Sequence, residues 1–377
     1  SIGGFGSTLF HFILILSWYF TCMKIAITAD VHIGVPGKLN DIIWALKKIR
    51  QQCVEHDAKH IIMLGDLLHD REQIRIDDLN ALVEFLIETD EKFKIKIITF
   101  PGNHDMYLKN SWDINTIKPL ARYLDSYHDV VCIKIDGNRF WIVPFIHYES
   151  EYMKTLNAVN KKHKKGDILL THIGVKSSLL NSCFLLKSWS VVDFTDSPFD
   201  LIYTGHFHIS QKVGNNVWYP GSPIPFKFDE GDVAHGFLMF DTNTRSHEFI
   251  DLWDCEDEYK PPQYRTVDES VLSSVDELMV RGNIIRVALD KERTHNQLSD
   301  IRQTLYSMGA KDVRWMNLAA KEDKASIAIA KETAAKADSL FERFMKADKD
   351  GTDGLSNDLL LKLNAEIVAD GDRQYLE

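Results

Sequence analysis

The sequence predicts an α/β sandwich, and three observations carry the prediction. From Met23 onward, short apolar runs that end in loops alternate with stretches of helical spacing. Later apolar runs are separated by turns rich in Gly, Pro, Asp and Asn, so strands of mixed direction with helices outside them are expected. The 377 residues suffice for roughly two or three domains and a well-buried core.

Residues 24–29 (KIAITA) form the first apolar run and read as a buried strand. Across 39–56, Ile42, Ile43, Leu46, Ile49 and Val54 recur near helical spacing, which predicts a helix. Residues 60–64 read as a second strand, 79–87 as a helix and 95–100 as a third strand. Residues 130–135 and 139–144 read as neighbouring strands joined by the turn Asp136-Gly137-Asn138. A helix is expected over 149–162, then buried strands over 167–171 and 201–204. Residues 217–219, 236–241 and 247–251 supply the later strands.

The acidic stretch 254–263, with Pro261-Pro262, marks a domain boundary, so the first domain is read as 23–255. Over 256–318 the segments 264–266, 270–280, 283–289, 294–308 and 312–315 predict a small β-α-β-α-β unit. Residues 319–377 read as a helical tail, broken over 348–356. Its apolar clusters, around Leu340, Phe341 and Phe344 and around Leu359 to Leu363, need a surface to bury against. Asp348-Lys349-Asp350-Gly351 resembles the start of a calcium loop, but Asp353 and Leu359 stand where that loop needs Gly and Glu. At the other end, the apolar run 9–20 is too short to span a bilayer comfortably, and no Lys or Arg precedes it. Residues 1–22 are read as upstream or non-native sequence with Met23 as the natural start; a signal peptide is the competing reading. No membrane partner is expected.

The net charge of -11 denies the chain any global attraction for nucleic acid, so DNA contact needs a local basic face, a metal site or a partner. The run Lys161-Lys162-His163-Lys164-Lys165 reads first as a solvated helix end and only second as such a face. Five scattered cysteines without a C-x-x-C pair argue against a disulfide framework and a zinc–thiolate site, and for a reducing compartment.

Five segments carry the chemistry: Asp30-Val31-His32, Gly65-Asp66, Gly102-Asn103-His104-Asp105, Thr171-His172 and Gly205-His206-Phe207-His208. Each follows an apolar run, and strand C-terminal ends in an α/β sheet face a shared crevice. Singly, each has a plainer explanation as a loop, a turn or a buried histidine. Together they supply oxygen and imidazole donors without a thiolate, which suits Mn²⁺, Fe²⁺ or Mg²⁺. The donors are too many for one ion with open positions. Two ions sharing a carboxylate account for the number, and such a pair can clamp both oxygens of a phosphate-ester displacement.

In this order the motifs resemble those of the calcineurin-like metallophosphoesterases, across residues 23–254. The resemblance implies a four-layer sandwich. It implies one metal held by Asp30, His32, Asp66 and His208 and another by Asp66, Asn103, His172 and His206, with Asp66 bridging. His104 would face the phosphate as transition-state stabiliser or general acid, oriented by Asp105. The segment Gly65-Asp66-Leu67-Leu68-His69 is similar to G-D-L-F-H of the SbcD-type nucleases, which makes His69 a further active-site residue. Tyr219-Pro220-Gly221-Ser222-Pro223, Phe228-Asp229-Glu230 and Gly236-Phe237 resemble that family's Y-x-G-S-P…E…G-F run.

That finer resemblance implies a DNA exonuclease and endonuclease of end processing, repair and recombination, with Mn²⁺ the first choice of metal. The unit 256–318 would cap DNA, and the tail would grip an SbcC-type coiled-coil ATPase. A homodimer in the cytoplasm (a host's, if the source is viral) is expected. The competing function is a metallophosphatase or cyclic-nucleotide phosphodiesterase with the same site. A non-catalytic scaffold is disfavoured, because His104 and all seven ligands are present.

Overall fold

Strand–helix alternation builds the first sheet. In the computed structural model, which describes residues 23–108, 111–181, 184–185, 192–231 and 233–317, β1 (Lys24–Thr28), β2 (His60–Met63) and β3 (Lys96–Thr99) are parallel. They alternate with α1 (Leu39–Glu55) and α2 (Ile76–Glu91). The short β4 (Asp125–Ser126) extends one edge, and β13 (Gly236–Asp241) and β14 (His247–Asp251) complete the other in antiparallel fashion. The order is β14-β13-β1-β2-β3-β4.

The second sheet begins with the hairpin β5 (Val131–Ile135) and β6 (Asn138–Val143). Helix α3 (Glu149–Asn160) leads to β7 (Ile168–His172), which is parallel to β6. A small hairpin of β8 (Leu179–Asn181) and β9 (Phe184–Leu185) precedes β10 (Leu201–Gly205), β11 (Gln211–Val213) and β12 (Val217–Tyr219). The order is β11-β12-β10-β7-β6-β5.

Both faces of both sheets are covered, so the central strands are apolar on both sides. Ile25, Ile27, Ile62 and Ile98 pack against Phe140, Ile142, Ile168, Leu170 and Tyr203, face to face between the sheets. The alternate residues Ala26, Ile61, Met63 and Ile97 meet Leu46, Ile49, Leu82 and Phe85 of α1 and α2. On the far side, Trp141, Leu169 and Ile202 meet Tyr152, Leu156 and Val159 of α3. The layers therefore run helix, sheet, sheet, helix. Each fully buried Leu, Ile or Phe contributes roughly 1.5–3 kcal/mol of transfer free energy.

Several elements differ from expectation. Helix α2 starts at Ile76, ahead of its apolar stripe, because Asp77 and Asp78 favour a helix first turn. Strands β4, β8, β9 and β11 lie outside the expected elements; runs of two or three residues show no period. Residues 270–280 do not form one helix. A 3₁₀ segment (Glu269–Ser274) is followed by the one-turn α4 (Glu277–Val280), at whose start the Asp276 side chain accepts from the Leu278 amide. Ser273, Ser274 and Asp276 favour caps and turns over helix interiors.

The segment after the boundary continues with β15 (Tyr264–Asp268), β16 (Ile284–Leu289), α5 (His295–Ser307) and β17 (Asp312–Asn317), with strand order β15-β16-β17. By compactness, among the described residues those up to Val287 group with Asn296–Arg314, while Ala288–His295 and Trp315–Asn317 fall in a separate unit. Residues 1–22, the tail and its calcium-like loop lie outside the described residues. Cys53, Cys132 and Cys255 are free thiols. Among the described residues no helix is long and apolar enough to cross a membrane.

Candidate metal centre

The carboxyl ends of the parallel strands in both sheets bring the sequence-predicted residues together. The loops after β1, β2 and β3 supply Asp30, His32, Asp66 and Asn103; β7 ends on His172, and His206 and His208 follow β10. Asp30, His32 and Asp66 adopt left-handed backbone conformations, with φ of 53°, 52° and 52°. Such a conformation costs a non-glycine residue roughly 1–2 kcal/mol. The loops tolerate it because backbone bonds tie them together: the His32 amide donates to the Asp66 carbonyl at 3.0 Å, and Ile33 to Leu67 at 2.9 Å. Gly102 is required by contact, since a Cβ there would collide with the Asp66 side chain and amide.

Asp66 is the central carboxylate. Its Oδ2 lies 3.3 Å from His172 Nε2 and 3.8 Å from His32 Nε2, while Oδ1 accepts from the His104 amide at 2.8 Å. Asn103 Oδ1 lies 3.0 Å from His172 Nε2 and 2.7 Å from His206 Nδ1. The Asp30 carboxylate accepts from the His206 amide at 3.0 and 3.1 Å. His32 and His208 face each other, Nε2 to Nε2, at 3.2 Å.

Tautomers follow from the partners behind the rings. His172 Nδ1 lies 2.7 Å from the Leu64 carbonyl, which only accepts, so Nδ1 carries the proton. Once Nε2 gives up its own proton, its lone pair faces two further acceptors, Asp66 and Asn103. His208 Nδ1 likewise donates a hydrogen bond to the Glu230 carboxylate at 2.9 Å and turns Nε2 inward. Lone pairs converging on oxygens at hydrogen-bond distance call for a cation among them. The donors fit divalent ions: three oxygen ligands, four imidazoles and no thiolate. Asp30, His32 and His208 have donor atoms mutually within 4.8 Å, and so do Asp30, Asp66 and His172.

Electrostatics agree. Burial would raise the Asp66 carboxyl, but His172 and then His32 outweigh it and hold the group well below the usual carboxylate range. Burial would lower His172, but Asp66 overrides it and raises the imidazole to about 9. Burial pushes Asp30 up to about 6, against the pull of His172. Burial, then the charge of His172, brings His206 down to about 3. Asp66 and His172 thus form a buried ion pair, and a divalent ion competes with its proton.

His104 stands beside these groups. Its Nδ1 donates to the His69 carbonyl at 2.7 Å, and its ring lies 4.8 Å from His32 and stacks on His69 at 5.6 Å. Asp105 does not orient that ring, contrary to expectation. Its buried carboxylate points away, under the loops, and accepts from the amides of Leu67, Leu68 and Gly102 and from the Thr116 hydroxyl. His69 orients His104 through its main chain.

The sequence places Glu230 in a motif run without pointing to a role for it. It is buried, and it aims His208 as a carboxylate partner of an inward-facing imidazole. A cavity of about 320 Å³ opens over Asn103 and His206, bordered by Arg71, Phe145 and His147. A larger one of about 750 Å³ shares Met106, Phe145 and His147 with it but contains none of the seven donors. Lys162 of the basic run borders that larger cavity, just past the end of α3.

Known proteins are similar to this chain in sequence. Over 229 residues the chain is 26% identical to 244L of Invertebrate iridescent virus 6, which carries a provisional phosphoesterase name; the match covers 57% of this chain and 75% of that one. It is 27% identical to exonuclease subunit 1 of Enterobacteria phage T4, covering 60% and 67% of the two chains. It is 24% identical to the SbcD component of the nuclease SbcCD from Staphylococcus epidermidis, covering 58% and 66%. The model of the calcineurin-like phosphoesterases matches residues 23–210, which contain all five segments of the centre. With that match and this geometry, the chain belongs to the calcineurin-like metallophosphoesterases and is a metal-dependent hydrolase.

Proposed function

We propose that the protein is a two-metal DNA phosphodiesterase, the nuclease subunit of an SbcCD-type complex in DNA end processing, repair and recombination. The observation that carries the reading is Asp66, set between two groups of donors with His104 at their side. Asp30, His32, Asp66 and His208 hold one divalent ion; Asp66, Asn103, His172 and His206 hold the other. Mn²⁺ is the first choice, with Mg²⁺ or Fe²⁺ as alternatives. When bound, the pair supplies charge to neutralise the phosphate oxygens and acidifies a water. His104, whose Nδ1 is held by the His69 carbonyl, makes no hydrogen bond at Nε2 among the described residues and would donate from there to the phosphate or the departing oxygen.

DNA as substrate is supported by the T4 and staphylococcal relatives and by the strands and helices that follow Pro262. By the same likeness, 256–318 caps DNA, 319–377 binds a coiled-coil ATPase, and the protein works as a cytoplasmic homodimer. The second reading, a metallophosphatase or cyclic-nucleotide phosphodiesterase, is favoured by the 320 Å³ cavity, which suits a small ester. A Mn²⁺ assay on linear DNA beside p-nitrophenyl phosphate and a cyclic nucleotide separates the two. Nucleotides released from DNA support the nuclease. Turnover of the small esters with intact DNA overturns it.

A further inference from the structure

The 3₁₀ turn Phe228–Glu230 stands between His208 and the strands that follow Pro262. On its inner side, Glu230 Oε1 holds His208 Nδ1 at 2.9 Å, and Oε2 accepts from the Phe226 amide at 2.8 Å. On its outer side, the Phe228 ring meets Tyr264 of β15 edge-on at 4.9 Å. The Arg286 guanidinium of β16 lies over the same ring at 4.6 Å and 3.9 Å from Asp229; it also donates to Thr266 Oγ1 of β15 at 3.2 Å. At Gly231, which ends the turn, a Cβ would strike the Tyr264 carbonyl oxygen and come within 2.7 Å of its carbonyl carbon. Turn and strand thus touch backbone to backbone, with no side chain between them to absorb movement.

We infer that β15 and β16 set the position of the metal ligand His208, with Tyr264 and Arg286 as positioning residues that act through the turn and Glu230. The turn is short: its own bonds are the Glu230 amide to Lys227 at 3.1 Å and the Gly231 amide to Phe228 at 3.2 Å, and buried His235 Nε2 meets the Glu230 carbonyl at 2.8 Å, so β15 and β16 share its placement with that tie. Moving it by about 1 Å takes the Glu230–His208 bond out of hydrogen-bond range. Anything that displaces β15 and β16, such as a bound nucleic acid strand, therefore changes the affinity of the ion that His208 helps to hold. By linkage, that ion changes the affinity for the displacing ligand. The inference rests on reading His208 as a metal ligand.

The test is calorimetric titration of the full chain with Mn²⁺, which needs no turnover. Glu230→Ala and Gly231→Ala should weaken one of two binding events by roughly 10–100-fold, the range for partners of ligating histidines, and spare the other. Arg286→Ala, at a partly exposed site, should weaken the same event by roughly 2–30-fold. Arg281→Ala, whose head pairs with Glu277 away from the turn, should match wild type. A wild-type isotherm from folded Arg286→Ala overturns the inference, as does equal weakening of both events. A wild-type chain that binds no Mn²⁺ overturns instead the metal reading beneath it.

Discussion

His172, at the end of β7, donates its Nδ1 hydrogen to the carbonyl of Leu64, just past the end of β2. One bond thus joins the two sheets and fixes the tautomer that points Nε2 at Asp66 and Asn103. His172→Ala should remove a ligand and this tie together. Mn²⁺ calorimetry should show one of two binding events lost or weakened at least tenfold, in line with loss of a ligand or its support. Two wild-type events in the variant would exclude His172 from the ligand set.

His104 touches the centre through its backbone amide, while its ring is held by the His69 carbonyl. His104→Ala keeps the amide. Its kcat on DNA should fall on the order of 10²–10⁴-fold, as for loss of a general acid. Its metal stoichiometry should stay at the wild-type value. Metal lost along with activity would place the ring in the ligand shell.

Asp105 clamps three amides and a hydroxyl rather than the His104 ring. Asp105→Ala leaves those buried groups without a partner, at a cost on the order of 1–3 kcal/mol for each. Urea unfolding of the metal-free protein should show a lower midpoint than wild type. Unchanged stability with a large loss of kcat would restore Asp105 to an orienting role.

Metal should also act as a structural ligand, because its donors come from both sheets. With Mn²⁺ at about 100 times its dissociation constant, the folded state gains about 2.7 kcal/mol per site. The thermal midpoint should therefore rise by a few degrees with Mn²⁺ and fall back with a chelator, and activity should be lost and restored in step. A midpoint indifferent to Mn²⁺ would mean that these donors hold no ion in the folded protein.

Much of the centre was legible because each donor sits at or just past the carboxyl end of a strand, in a short motif. Asp30, Asp66, Asn103, His172 and His206 needed only the strand ends to be located. Glu230 had no such signal: it lies in a short turn, and its partner is His208, reached only through space. Asp105 misled for the opposite reason. The family resemblance implied contact with His104, yet the carboxylate reaches Leu67 and Leu68 on another loop. Among the elements, the alternation through β1, α1, β2 and β3 was readable from apolar period. Residues 270–280 were not, because apolar Val271, Leu272 and Val275 imitate a helix that Ser273, Ser274 and Asp276 interrupt.

Strand β1 has a further consequence, through the company it keeps. It pairs on one side with β2, which follows soon in the chain, and on the other with β13, where Ile25 lies opposite Phe240. During synthesis, β1 emerges early and waits for most of the domain before that second neighbour exists. Until then its apolar edge is open, a template for strands of other chains. A closure between such distant segments is also slow to form. A chain cut short of β13 keeps that edge unpaired and is a candidate for aggregation rather than a smaller working enzyme.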